Sequence, residues 1–324
     1  MYAPRGRDIM VNNIEDIRNV GIIGAGLMGH GIAQAFAVNG YRVKIFDDDR
    51  KALKSVPDRI RQNLQVFLKL KKVKKSDIDK CISHIDLCED LASVCDNVDF
   101  LIEAIKENLE AKVSLFEEME KSIDSNVIVS SNTSAISITR LSDGLRHKQR
   151  FLGTHFWNPP HIIPCVEVIR GEYTSDTVFD TTCELMKRIG KEPVKVLKDV
   201  PGFLGNRLQH AMWREAISLV EKKIASPEDI DNVVKYGFGL RLSFIGPLET
   251  ADLAGLDLDY DIHKYLFPYL ENSSAPSPVL KGLVDQGVLG VKTGRGFYEW
   301  SEEKIDRIIK QRDSILLKIM EQLS

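Results

Sequence analysis

The sequence predicts an α/β domain built on a mostly parallel sheet, followed by a helical domain. Three observations carry this reading: an apolar run entering a glycine-rich turn at residues 20–29, repeated strand-like runs as far as Leu197, and loss of strand signal from Pro201 onward. The boundaries that follow are an N-terminal extension at 1–17, the sheet domain at 18–199 and the helical domain at 200–324.

Val20-Gly21-Ile22-Ile23 reads as a buried strand running into Gly24-Ala25-Gly26-Leu27-Met28-Gly29, the GxGxxG pattern in its strand-to-helix context. Gly24 permits the tight turn, Gly26 lets the backbone approach a pyrophosphate, and Gly29 lets the helix pack on the strand. Leu27 and Met28 complete the loop at the helix N-terminus, where phosphates are favoured. That helix runs through Ile32, Ala35 and Phe36 to a stop at Asn39-Gly40, and Arg42-Val43-Lys44-Ile45-Phe46-Asp47 reads as a second strand ending in an acid. Asp47 lies 23 residues beyond Gly24. A carboxylate there accepts a ribose hydroxyl and disfavours a 2′-phosphate, so NAD is expected over NADP. Arg50 is the nearby cation that runs against this preference.

Ile60, Leu64 and Phe67 mark the next helix, which ends among Lys69, Lys71, Lys72, Lys74 and Lys75; Ser76-Asp77 then caps a short second helix. This basic hairpin reads as a solvated surface or as a landing site for an anionic handle such as the phosphates of coenzyme A, with Lys69 and Lys72 the candidate contacts. Strand signals resume at residues 84–87 and 98–103, a helix carries Leu109, Val113 and Phe116, and further strands fall at 127–129, 151–153, 166–169 and 194–197. In the second domain, Ser226-Pro227 and Ser277-Pro278 each read as an N-cap followed by proline at the first helical position. Lys292-Thr293-Gly294-Arg295-Gly296-Phe297-Tyr298 lacks a strand-to-helix context and reads as a packing loop. Residues 301–324 suit one amphipathic helix covering the core or another subunit.

Composition narrows the function classes. The chain has 324 residues, 43% hydrophobic and 28% charged, enough for a two-domain globular enzyme. A formal net charge of −3 argues against a broad nucleic-acid footprint. No apolar run approaches the roughly 18 to 20 residues of a membrane span, and the N-terminal segment lacks the apolar core of a signal peptide. Cys81, Cys88, Cys95, Cys165 and Cys183 lack metal or CxxC spacing and read as reduced thiols in a cytoplasmic protein, with no metal expected.

A second constellation supplies reaction chemistry: Ser131-Asn132-Thr133-Ser134, His155-Phe156-Trp157-Asn158-Pro159 and Val166-Glu167-Val168. Removing a hydroxyl proton as hydride leaves carbon suits a neutral imidazole, so His155 is the candidate base. Glu167, on a strand 12 residues later, is the candidate carboxylate on its other nitrogen. Ser134 and Asn206 offer neutral hydrogen bonds to a substrate oxygen or to the nicotinamide amide.

Together with Glu103-Ala104-Ile105-Lys106-Glu107-Asn108-Leu109, Pro201-Gly202-Phe203-Leu204-Gly205-Asn206-Arg207 and residues 292–298, these motifs resemble the L-3-hydroxyacyl-CoA dehydrogenase family, including its 3-hydroxybutyryl-CoA dehydrogenases. The resemblance implies a Rossmann-like domain, an all-helical domain that forms a homodimer, and an active site in the cleft between them. It implies His155 as base, Glu167 as its partner, Ser134 and Asn206 as hydrogen-bonding groups at the reacting centre with Asn158 close by, and Glu107 and Lys112 at the cofactor site. An acyl-CoA is the first substrate reading. The run Pro159-Pro160-His161-Ile162-Ile163-Pro164 departs from the Asn-Pro-Val pattern of acyl-CoA enzymes and resembles relatives acting on small free compounds, such as L-gulonate or a hydroxymethyl-pyridine carboxylate. A third reading is a catalytically silent nucleotide-binding protein like the lens-crystallin relatives, against which the intact Ser134, His155, Glu167 and Asn206 set argues.

Overall fold

The computed structural model describes residues 13–69 and 73–323. The chain divides into two compact units that part between Asn206 and Arg207.

In the first unit, eight strands form one sheet: β1 (Asn19–Ile23), β2 (Arg42–Phe46), β3 (Ile85–Leu87), β4 (Phe100–Glu103), β5 (Ile128–Ser131), β6 (Phe151–Phe156), β7 (Cys165–Ile169) and β8 (Glu192–Val196). Their order is β3-β2-β1-β4-β5-β6-β7-β8. The first six are parallel, β7 runs antiparallel to β6, and β8 is parallel to β7. Alternation of side chains along each strand feeds two cores. Ile22, Phe100 and Ile102 join Phe36 and Ile60 in one cluster. Ile23 and Leu101 join Phe116 and Val129 in the other. Burial on both faces explains the continuous apolar character of β1 and β4. The strand order reverses at β1, whose neighbours are β2 and β4, and in such sheets ligands bind beyond the C-terminal strand ends at that switch.

Several boundaries differ from the sequence reading. The short helix after the lysine run is Lys75–Ser83 with Lys74 as its N-cap, and the Asp77 carboxylate instead accepts the Lys74 N–H at 2.8 Å from the third helical position. β3 begins at Ile85 because His84 still closes the preceding helix. β4 begins at Phe100, after Asn97 takes a φ of 49°.

The second unit contains helices including Pro227–Tyr236, Pro247–Ala254, Leu256–Leu266, Pro278–Asp285 and Glu302–Leu323. Ser226 and Ser277 cap the first and fourth of these, with proline in the first turn. The glycine-bearing loop near the end is tied to the helices, since the Tyr298 hydroxyl donates to Asp231 at 2.9 Å. Among the described residues, no helix is long and apolar enough to cross a membrane.

Candidate active site

His155 on β6 is the register partner of Glu167 on β7. Opposed residues of an antiparallel pair project to the same face, so the strand reversal brings the two side chains together across 12 residues of sequence. His155 Nδ1 and Glu167 Oε2 are 2.7 Å apart. They are only 5% and 2% exposed. The other carboxylate oxygen accepts the N–H groups of Leu204 and Gly205, each at 2.9 Å. Burial pushes the Glu167 carboxyl up, but the His155 hydrogen bond and the two backbone N–H groups outweigh it and hold the group below its ordinary pKa. An ionised Glu167 fixes the proton on Nδ1 and leaves Nε2 as the accepting nitrogen. The rings of Trp157 and Phe203 flank the imidazole, with centroids 5.2 Å and 5.9 Å away.

The Ser131-Asn132-Thr133-Ser134 segment leaves the end of β5 and is held by a polar network that runs from the exposed Glu107 to the buried Glu103. Glu107 Oε1 accepts the Thr133 hydroxyl at 2.6 Å and the N–H groups of Ser134 and Ala135 at 2.9 Å and 3.1 Å. Burial pushes the Glu107 carboxyl up, yet the Thr133 hydrogen bond, the Lys112 charge and the two N–H groups carry it below the ordinary value. Beneath it, Lys112 pairs with Glu103, whose carboxylate also accepts the Ser131 hydroxyl at 2.5 Å and the Ile105 N–H at 2.7 Å. Burial pushes the Glu103 carboxyl up, an effect that Lys112 and these hydrogen bonds oppose. Asn132 Oδ1 accepts the Phe156 N–H at 2.9 Å, tying the segment to the His155 strand. Asn206 Nδ2 donates to the Ser134 carbonyl at 2.7 Å. Asn158 is exposed and precedes a cis proline, Pro159.

Lys112 itself is 1% exposed, and its ammonium faces Glu103, Glu107 at 3.4 Å and the Ile105 carbonyl at 3.5 Å. Its three N–H groups are thereby matched by three acceptors. Any influence of Lys112 on a cofactor therefore passes through the loop that Glu107 holds.

The glycine loop has the stereochemistry the fingerprint requires. Gly24 has φ 107°, and a Cβ there would lie 2.5 Å from the Ala104 carbonyl oxygen; a Cβ at Gly29 would lie 1.7 Å from the Gly24 oxygen. A Cβ at Gly26 would meet nothing within 4 Å, so open space lies in front of the loop, as a pyrophosphate needs. Leu27 is 61% exposed beside it, and Met28 is half-buried. Asp47 accepts the Ala25 N–H at 2.6 Å and the Asp49 N–H at 2.8 Å, one on each oxygen. Each oxygen keeps a lone pair for a ribose hydroxyl.

Of the lysines in the basic hairpin, Lys69 is exposed at the end of the helix Val56–Lys69, and Lys72 lies outside the described residues. In the sequence Glu103 stands out only as the first residue of a motif, with no role attached, and Lys191 does not stand out at all. Lys191 Nζ donates to the carbonyls of Pro160 and Ile163 at 2.6 Å and 2.9 Å, pinning the turn that carries His161. Its burial lowers the ammonium pKa to about 8.

Family models match both parts of the chain: the NAD binding domain of 3-hydroxyacyl-CoA dehydrogenase over residues 19–200 and its C-terminal domain over residues 202–300. The chain belongs to the 3-hydroxyacyl-CoA dehydrogenase family. NAD is its cofactor, as the matched domain and the open glycine loop agree. The 5-formyl-3-hydroxy-2-methylpyridine 4-carboxylate 5-dehydrogenase of Mesorhizobium japonicum is 33% identical over 309 residues, 94% of this chain and 97% of that one. A solved structure of a dehydrogenase of the same substrate superposes with TM-score 0.88 at 32% identity, covering 95% of this chain and 98% of that chain. The (S)-3-hydroxybutyryl-CoA dehydrogenase PaaH1 of Ralstonia eutropha superposes with TM-score 0.74 at 37% identity, covering 89% and 100%.

Proposed function

We propose that this chain transfers hydride reversibly between NAD and an alcohol carbon, with His155 as the acid–base group and Glu167 as its positioning partner. The observation that carries the reading is the buried 2.7 Å contact, backed by two N–H groups on the second carboxylate oxygen. In the oxidising direction, Nε2 takes the hydroxyl proton, and Glu167 stabilises the resulting imidazolium while keeping the ring in one tautomer. NAD, when bound, supplies the hydride acceptor. Ser134, on a segment fixed by Glu107 and by Asn206, presents its hydroxyl to the substrate oxygen. Asn158 and Asn206 border the same place, and Asp47 receives the cofactor ribose.

For the substrate, a small free hydroxy compound has the better support. The Pro159-Pro160-His161 turn is pinned by Lys191, and the pyridine-carboxylate enzyme superposes with TM-score 0.88, against 0.74 for the 3-hydroxybutyryl-CoA enzyme. A 3-hydroxyacyl-CoA is the second reading, favoured by the 37% identity to the 3-hydroxybutyryl-CoA enzyme and by the exposed Lys69. Initial rates of NADH oxidation with acetoacetyl-CoA beside free acetoacetate, 3-dehydro-sugar acids and aromatic aldehydes decide between them. Turnover confined to acetoacetyl-CoA reverses the order, and no turnover across the panel returns the silent crystallin-like reading.

A cytoplasmic homodimer is part of the proposal. The second unit leaves Tyr236, Leu248, Leu253, Tyr260 and Tyr265 between 66% and 81% exposed, more apolar surface than an isolated protomer ordinarily shows to water. A monomeric mass by light scattering would refute the dimer.

A further inference from the structure

The glycine-rich loop is gripped from behind by a residue of another helix. Arg59, on Val56–Lys69, donates from Nη1 to the Ala25 carbonyl at 2.8 Å and from Nη2 to the Gly26 carbonyl at 3.1 Å. Nη2 also lies 2.8 Å from His30 Nδ1. His30 is buried, which holds its imidazole below the ordinary pKa, and the Arg59 charge acts in the same direction. His30 Nδ1 also lies 2.9 Å from the Gly26 carbonyl oxygen, so the imidazole closes on the same carbonyl that Arg59 holds.

The two carbonyls determine where the neighbouring N–H groups point. In a planar trans peptide, C=O and N–H point in opposite directions. The Ala25 carbonyl shares its peptide with the Gly26 N–H, and the Gly26 carbonyl shares its peptide with the Leu27 N–H. Drawing both carbonyls onto one guanidinium turns both N–H groups to the opposite side of the loop. Neither has an acceptor among the described residues, and Gly26 and Leu27 are both exposed. The space beside Gly26 is open to 4 Å. On the Ala25 side the loop is fixed as well, because Asp47 takes that N–H.

We propose that Arg59 is a positioning residue for the NAD pyrophosphate. It sets the two peptide planes whose N–H groups receive the phosphate oxygens, and its charge behind the loop attracts the anion. The proposal rests on the cofactor assignment and is independent of which alcohol is oxidised, so its failure leaves the His155 reading standing.

The test is equilibrium binding followed by NADH fluorescence, with ADP-ribose and adenosine as competitors, on the full chain carrying Arg59→Met or Arg59→Lys. The Kd values for NADH and ADP-ribose should rise together in Arg59→Met by about tenfold or more, as loss of two charge-assisted hydrogen bonds implies. Adenosine, which has no phosphate, should compete as it does with the wild type. Arg59→Lys keeps the charge but reaches only one carbonyl, so its loss should be smaller. An unchanged NADH Kd in Arg59→Met overturns the proposal, and so does an equal loss for adenosine, which would mark general loosening of the site. Should Arg59→Met not fold, an Arg59→Lys protein binding NADH as tightly as the wild type overturns it instead.

Discussion

Lys112 and Glu103 form an ion pair with side chains only 1% and 0% exposed, beneath the segment that carries Ser134. Removing one partner leaves an uncompensated buried charge. Lys112→Met should therefore cost about 3–5 kcal/mol of unfolding free energy in urea. It should also weaken NADH binding, because Glu107 loses a cation that helps it hold the Thr133 hydroxyl and the Ser134 and Ala135 N–H groups. A stability change near zero with normal NADH affinity would remove the network from both roles.

Lys191 makes a prediction whose sign is set by its pKa. Its folded value of about 8 lies below the unfolded value of about 10.4, so between these pH values the unfolded chain holds more protons and stability rises with pH. Lys191→Met lacks this term and leaves the Pro160 and Ile163 carbonyls without their donor. The stability gap between wild type and variant should widen as pH is raised from 8 toward 10, by at most about 1.4 kcal/mol per pH unit. Denaturation curves at both ends of that window check it; a constant or narrowing gap contradicts it.

Asp47 predicts cofactor preference. Wild-type enzyme should favour NADH over NADPH, and Asp47→Ala should narrow that preference mainly through the KM for the cofactor. Because Asp47 also holds the Ala25 N–H, some loss of NADH affinity should accompany the change. Equal use of both cofactors by the wild type would contradict the role.

The strands up to β6 and the glycine loop were legible in the sequence because both are written locally, in apolar runs and in the stereochemistry of Gly24 and Gly29, whereas the order of the strands was not. Nor was the reversal of β7. Cys165-Val166-Glu167-Val168-Ile169 has the same pattern for either strand direction, and only the reversal makes His155 and Glu167 direct partners. Arg59 and Lys191 were illegible for another reason. Each donates to backbone carbonyls about thirty residues away, 34 and 31 respectively, and a lysine or arginine doing so has no local signature separating it from a solvated one.

The lysine hairpin separates the substrate classes. If a coenzyme A handle lands there, Lys69→Gln combined with Lys72→Gln should raise the KM for acetoacetyl-CoA far more than for a short thioester lacking the nucleotide, and added salt should mimic the defect. Under the free-compound reading the double variant should match the wild type with every substrate at low salt.

The acid–base pair is tested most directly by His155→Gln, using the best substrate from the NADH-oxidation panel. If His155 is the acid–base group, kcat should fall by about 10²- to 10⁴-fold with the NADH Kd nearly unchanged. Glu167→Gln should act in the same direction, and the double variant should be no slower than His155→Gln alone. A kcat for His155→Gln close to that of the wild type would contradict the assignment of His155 as the acid–base group.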